Sequence, residues 1–316
     1  MIRPSGVVAI AAVILIASPF ARAQNEGEGQ GRVIVTALPK QNNAPPAAVP
    51  QQDVQVEVNG KKAQITHWQP LRSPDSTVEL VILIDDSARA SLGREFSDIT
   101  HFVQTLPPNV RIAFAYMENG RAVMSGPLSA DHAKVVQQIH LPIGGPGISA
   151  SPYFCLSDLA KHWPSEDRTA RREVMMITDG VDRYEMRYDP DDPYVQAAIQ
   201  DSARAGLVVY SIYWRSEGRA DRSWYENNAG QNLLLQLAQA TGGNSYWEGM
   251  GNPVTLQPYF EDLSRRLNNQ FELSFTAPLR GKADVESLKV KVSNSSVKVS
   301  APQQAYVVPG EMAGQP

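Results

Sequence analysis

Three short stretches of this 316-residue chain hold residues whose types could do chemistry: Asp85-Asp86-Ser87-Ala88-Arg89, the glycine-rich run 144–147 leading to Ser149 and Ser151, and Thr178-Asp179-Gly180. Carboxylates and hydroxyls are oxygen donors, the kind that hard cations such as Mg²⁺ take in near-octahedral shells. Arg89 offers the opposite chemistry, because a guanidinium beside Asp85 or Asp179 would repel a divalent ion and close the same acids into an ion pair. Its length also lets it turn its head to solvent, so both outcomes stay open.

Other residue types read as bland. His67, His101, His132, His140 and His162 lack metal-ligand spacing. The single cysteine, Cys155, falls among Tyr153, Phe154, Leu156 and Leu159, where a thiol acts as a small apolar side chain. It also excludes an intrachain disulfide. No nucleophile elbow is present, and the expectation is a protein that is not an enzyme. A net charge of −4 argues against a nucleic-acid partner.

The elements that must position these stretches follow from periodicity. Val78 to Ile84, Ile112 to Met117, Val174 to Ile177 and Leu207 to Tyr213 are apolar runs too continuous for half-exposed strands, as in a parallel sheet covered on both faces. Helical periods separate them: Leu92 to Val103, Val135 to Ile139, Val195 to Ala203 with Gly206 as cap, Leu233 to Leu237, and Leu256 to Leu267. Alternation of this kind implies right-handed crossovers and a doubly wound, mostly parallel α/β sheet. Ligands of such sheets bind outside the carboxyl ends of the strands, where Asp85 and Asp179 fall.

The flanks differ. Met1-Ile2-Arg3, the apolar run Val7 to Ala17 and Ala21-Arg22-Ala23 have the layout of a cleavable signal over residues 1–23, with a mature chain from about Gln24 that is secreted or periplasmic. Residues 24–31 and 37–52 read as linker. Short β signals at Arg32 to Thr36, Val54 to Val58 and Ala63 to Thr66 include a hairpin turn at Asn59-Gly60. Alternation returns in Phe271, Leu273 and Phe275, and a second hairpin is expected from Leu288–Val292 and Val297–Val299, its lysines facing water. The division is therefore linker and β segments over 24–75, the α/β domain over 76–270, C-terminal β segments over 271–310 and a tail over 311–316, with the β segments pairing into one small accessory module.

Taken in order, Asp85-x-Ser87 and Thr178-Asp179-Gly180 resemble a von Willebrand factor A domain and its metal-ion-dependent adhesion site, over about residues 76 to 268. The signal and the Val-x-Val-x-x-Asn-Gly-Lys type segment are similar to the VWFA-related proteins described from acidobacteria. The resemblance implies Mg²⁺ held by Asp85, Ser87, Asp179 and, in place of an absent threonine, Ser151 or else Ser149. Arg89 stands where the family has a second serine. The site would engage a protein partner, with Asp182, Arg219, Arg222, Trp224 and Tyr225 on two flanking loops as further contacts, since arginines and aromatics are enriched in binding hot spots. Asp189, Asp191 and Asp192 lack the spacing of a Ca²⁺ loop. The alternative is a structural protein of an envelope assembly with a metal-free, salt-bridged crevice.

Overall fold

The computed structural model describes residues 27–41, 44–72, 74–142, 151–184, 188–215, 224–249, 251–279 and 281–310, and leaves the side chains of Ser87, Arg89 and Ala90 outside the description. The expected signal, the tail, Ser149, Arg219 and Arg222 lie outside the described residues.

Six strands form the α/β sheet: β5 (Val78–Asp85), β6 (Val110–Glu118), β7 (Arg121–Met124), β8 (Arg171–Thr178), β9 (Leu207–Tyr213) and β10 (Ser245–Tyr246), in the order β10-β9-β8-β5-β6-β7. All neighbours are parallel except β6 and β7. The chain moves from β5 to β6 in one direction and from β8 to β9 and β10 in the other, so the order reverses between β5 and β8. That switch point is where crossovers diverge and leave a crevice.

Both faces are covered, which is why these strands are largely apolar. Leu80, Ile82 and Ile84 of β5 pack with α1 (Arg89–Leu92), α2 (Phe96–Thr105), α3 (His132–Val135) and α7 (Gln257–Leu267). Val81 and Leu83 face α4 (Pro152–Lys161), α5 (Pro193–Ala205) and α6 (Trp224–Thr241). At the end of β5 opposite Asp85, Glu79 is buried, and Arg111 and the Trp163 indole donate to its two oxygens at 2.9 and 2.7 Å. Helix α5 begins on Asp192, whose Oδ1 accepts from Tyr194 and Val195 N–H, and ends on Gly206 at φ +70°.

The second layer is an eight-stranded sheet of antiparallel pairs, larger than the small module expected. It comprises β1 (Gly27–Pro39), β2 (Val54–Val58), β3 (Lys61–Lys62), β4 (Gln64–Pro70), β11 (Gln270–Leu279), β12 (Asp284–Val292), β13 (Val297–Ser300) and β14 (Gln304–Pro309). N- and C-terminal segments do interleave in it, in the order β3-β2-β12-β14-β1-β11-β4, with β13 on β1. Asn59 and Gly60, both at positive φ, turn β2 into β3 as the sequence suggested.

Two expectations are corrected. Residues 27–31, read as linker, are the first part of β1. Gly29 and Gly31 are required by packing: a Cβ on Gly31 would stand 2.5 Å from the ring of Phe275, its partner across the strands, and one on Gly29 would stand 2.6 Å from Val307. Bare backbone lets those buried side chains lie over it. Gly31→Ala is accordingly expected to lower stability by about 1–2 kcal/mol, the range for overpacking a core, and a thermal melt equal to that of the parent would remove this explanation. The second correction is that β12 and β13 make no hairpin. Asn294 accepts from Ser296 N–H at 2.9 Å and turns the chain, after which β13 pairs with the end of β1 while β12 lies between β2 and β14. Lys289 and Lys291 do face water.

Candidate functional site

Register brings the acids together. Ile84 of β5 lies opposite Ile177 of β8, so Asp85 ends its strand level with Thr178 at the switch point. The Thr178 hydroxyl donates to Asp85 Oδ2 at 2.5 Å and accepts from Gly180 N–H at 3.2 Å. Asp179 turns back on its own loop: its Oδ1 accepts from Val181 N–H at 2.9 Å, and its Oδ2 lies 3.7 Å from the Arg183 guanidinium. Both acids are buried.

The loop is held from behind by α6. Gly180 has φ +67°, where only glycine is unstrained, and its Cα is so close to α6 that a Cβ would meet Gly230 O at 2.6 Å. From the other flank, the Tyr153 hydroxyl donates to Gly180 O at 2.7 Å. The Trp214 backbone N–H donates to Thr178 O at 2.8 Å, and its indole donates to Ser91 Oγ at 3.0 Å, tying the end of β9 to α1.

Ser151 is the N-cap of α4, accepting from Tyr153 N–H at 3.3 Å and donating to Asp182 Oδ2 at 3.2 Å. Asp182 Oδ1 accepts from Tyr184 N–H at 2.8 Å. Asp182, expected on a partner-facing surface, is therefore buried and builds the loop from within, because a carboxylate two residues ahead of a free N–H closes an Asx turn. Trp224 and Tyr225, expected on a loop, instead open α6; both are exposed, and the Tyr225 hydroxyl accepts from Tyr188 N–H at 3.2 Å. Tyr184 is also exposed and meets Phe154 edge-on, with ring centroids 5.4 Å apart.

Two contributors escaped sequence reasoning. Arg183 is the arginine described beside Asp179, four residues along its own loop, a local spacing that could have been noticed. The other is Asp86, which is 2% exposed and, among the described residues, has no hydrogen-bond partner on either oxygen. Burial, with Asp85 and Glu118 nearby, pushes its carboxyl up to about 7. Cys155 is buried, and burial, with Asp85 nearby, pushes its thiol up, which makes it inert at neutral pH.

Among the described residues, the oxygen donors of the crevice are already engaged. Among the described residues no three His, Cys, Asp or Glu side chains group closely enough to hold a metal. Thr178 occupies an oxygen of Asp85, Arg183 stands on Asp179, and the Ser151 hydroxyl is spent on its cap and on Asp182. As arranged, these three described donors do not form an open shell for Mg²⁺; the Ser87 side chain and Ser149 lie outside the description.

No family model matches the sequence, and no curated protein matches it. Solved structures do. An aerotolerance-related membrane protein from Bacteroides fragilis, carrying multiple mutations to serines, is 16% identical with a TM-score of 0.44, covering 60% of this chain and 98% of that one. The conserved hypothetical protein BatB from Bacteroides thetaiotaomicron is 18% identical at 0.44, covering 60% and 97%. The ArnB paralog VWA2 from Sulfolobus acidocaldarius is 12% identical at 0.38, covering 88% and 76%. Likenesses this distant carry neither function nor site residues across.

Proposed function

We propose that this chain is an exported, non-enzymatic binding module of the von Willebrand factor A type, engaging a protein partner at the carboxyl edge of its parallel sheet. The observation that carries the reading is the set of exposed aromatic side chains, Tyr184 and Tyr188 on the loop after β8 and Trp224 and Tyr225 at the start of α6. Large apolar rings left in water beside a rigid, buried acid cluster are what a binding edge provides, and aromatics are the residues on which affinity concentrates. Export rests on the leader-like first 23 residues; among the described residues no helix is long and apolar enough to cross a membrane.

The crevice works without metal in this reading. Arg183 beside Asp179 supplies the positive charge that Mg²⁺ would otherwise bring. Titrating the purified protein with millimolar Mg²⁺ or Mn²⁺ should leave its melting temperature unchanged, since only a ligand of the folded state raises it. A rise of several degrees, lost in Asp179→Ala, would restore the metal through Asp85, Ser87, Ser151 and Asp179.

The same ion pair favours a second reading, in which the crevice is structural and the antiparallel sheet makes envelope-assembly contacts. Photo-crosslinking in cells that export the protein separates the two. A probe at Trp224 should capture a partner that a probe at Lys289 does not. Trp224→Ala and Tyr225→Ala should each weaken that association about tenfold or more. Capture from Lys289 alone supports the assembly reading.

A further inference from the structure

At the amino ends of the parallel strands, away from the crevice, a cavity of about 550 Å³ opens where α4 and α5 end beside the start of β8. Four cations line it, Lys161, Arg168, Arg172 and Arg204, against two carboxylates, Glu166 and Asp201. In a chain of net charge −4 this local excess needs a cause.

Half of the excess has one in the fold. Lys161 and Arg204 stand in the last turns of α4 and α5, where carbonyl ends favour cations, and both bond Asp201, at 2.8 and 3.2 Å. The other two differ. Among the described residues no carboxylate bonds Arg168 or Arg172, and Glu166 is exposed. Arg172 is only 6% exposed, yet its donors all meet neutral oxygens: Nη2 donates to Ser165 O at 3.1 Å and Asp167 O at 3.2 Å, and Nη1 reaches Ala205 O at 3.4 Å. Its guanidinium lies 5.6 Å from the centre of the Trp163 ring. Glu79, the acid that acts on it most, is already bonded by Arg111 and the Trp163 indole. Burial, and next the like charge of Arg168, pull the Arg172 guanidinium below its ordinary value. Two guanidiniums that repel each other in one cavity, with no carboxylate on either, are what an oxyanion neutralises.

We infer that this cavity binds a phosphate dianion, free or as a monoester, held by Arg168 and Arg172 with Lys161 and Arg204 on the same walls. Four cations against two carboxylates leave a charge that one carboxylate does not neutralise, whereas a phosphate monoester carries roughly −1.5 to −2 at neutral pH. The volume lies within the range of small-molecule sites, roughly 300–1,000 Å³, and leaves room for the rest of an ester.

Inorganic phosphate, glycerol phosphate and acetate are titrated calorimetrically into the purified protein at one ionic strength. Phosphate should bind at least about tenfold more tightly than acetate, because two guanidiniums meet a doubled charge. Two further arms identify the carrier: binding of glycerol phosphate points to a soluble ester, and sedimentation with phosphatidylcholine vesicles only when they contain phosphatidic acid points to a lipid headgroup. Arg168→Gln should weaken phosphate about tenfold or more. Its side chain is exposed, so the variant should keep the parent's melting temperature. Lys289→Gln removes the same charge from the antiparallel sheet and should bind phosphate as the parent does. Equal affinity for phosphate and acetate, unchanged binding in Arg168→Gln, an equal loss in both variants, or no heat at millimolar phosphate would each overturn the assignment. None of these outcomes depends on the crevice or its partner.

Discussion

Gly230→Ala should unfold at markedly lower denaturant than the parent, with a loss of about 2–3 kcal/mol, although alanine is the better helix former by about 1 kcal/mol. The reason is the contact between α6 and the Thr178-Asp179-Gly180 loop. A Cβ at position 230 would stand 2.1 Å from the carbonyl oxygen of Asp179 and 3.2 Å from its carbonyl carbon. The obstacle is backbone, not the movable end of a side chain, so either the helix or the loop must shift by more than half an ångström. A shift of the loop would carry the Asp179 carboxylate away from Val181 N–H and Arg183, so the crevice and the global stability should fail together. Urea unfolding measures the first effect and crosslinking from Trp224 the second. If Gly230→Ala were as stable as the parent or more so, helix propensity would have prevailed and the close approach would be looser than described.

The second large effect concerns pH. Glu173 lies buried between the sheets, where burial pushes its carboxyl up to about 7 against an ordinary value of 4.5, and Arg171, Gln270 and Tyr210 pull the other way. The folded protein therefore holds a proton that the unfolded chain releases above pH 4.5. Where the native state binds more protons, stability falls as pH rises. The loss should begin near pH 4.5, grow to about pH 7 and then level off at about 3 kcal/mol. Glu173→Gln keeps an amide oxygen for Gln270 and has no proton to lose. Its stability relative to the parent should rise between pH 5 and pH 8 by up to that amount, trimmed by the loss of the carboxylate that favours charged Arg171. All other titrating groups are common to both proteins and cancel in the difference. Parallel stability curves for parent and variant across this range would mean that Glu173 is charged in the folded state throughout.

Much of the parallel sheet was legible because burial on both faces leaves a plain mark: uninterrupted apolar runs at Val78, Ile112, Val174 and Leu207 that match β5, β6, β8 and β9. The antiparallel layer was harder. Its strands alternate weakly, and the glycines of β1 imitate a linker when their packing partners, Phe275 and Val307, are some 240 to 280 residues away in sequence. Strand pairing over that distance leaves no local signal, which is also why the hairpin expected across Asn294 is absent.

At the crevice, the order of Asp85, Thr178 and Asp179 along the chain placed both acids at one sheet edge, because strands that alternate with helices all end on the same side. Ser151-Pro152 and Asp192-Pro193 open α4 and α5, each capped by the residue before its proline, whereas the similar Asp189-Pro190 opens no helix. What each acid does there was a matter for tertiary structure. Whether a carboxylate meets a hydroxyl, a guanidinium or nothing depends on a few tenths of an ångström between elements far apart in sequence. Thus Asp85 is taken by Thr178 from the next strand, Asp182 is drawn inward to Ser151, and Asp86 has no partner among the described residues. The sequence by itself determined that these acids share an edge; only the packing of β5, β8, α4 and α6 decided which of them are spent in holding that edge together.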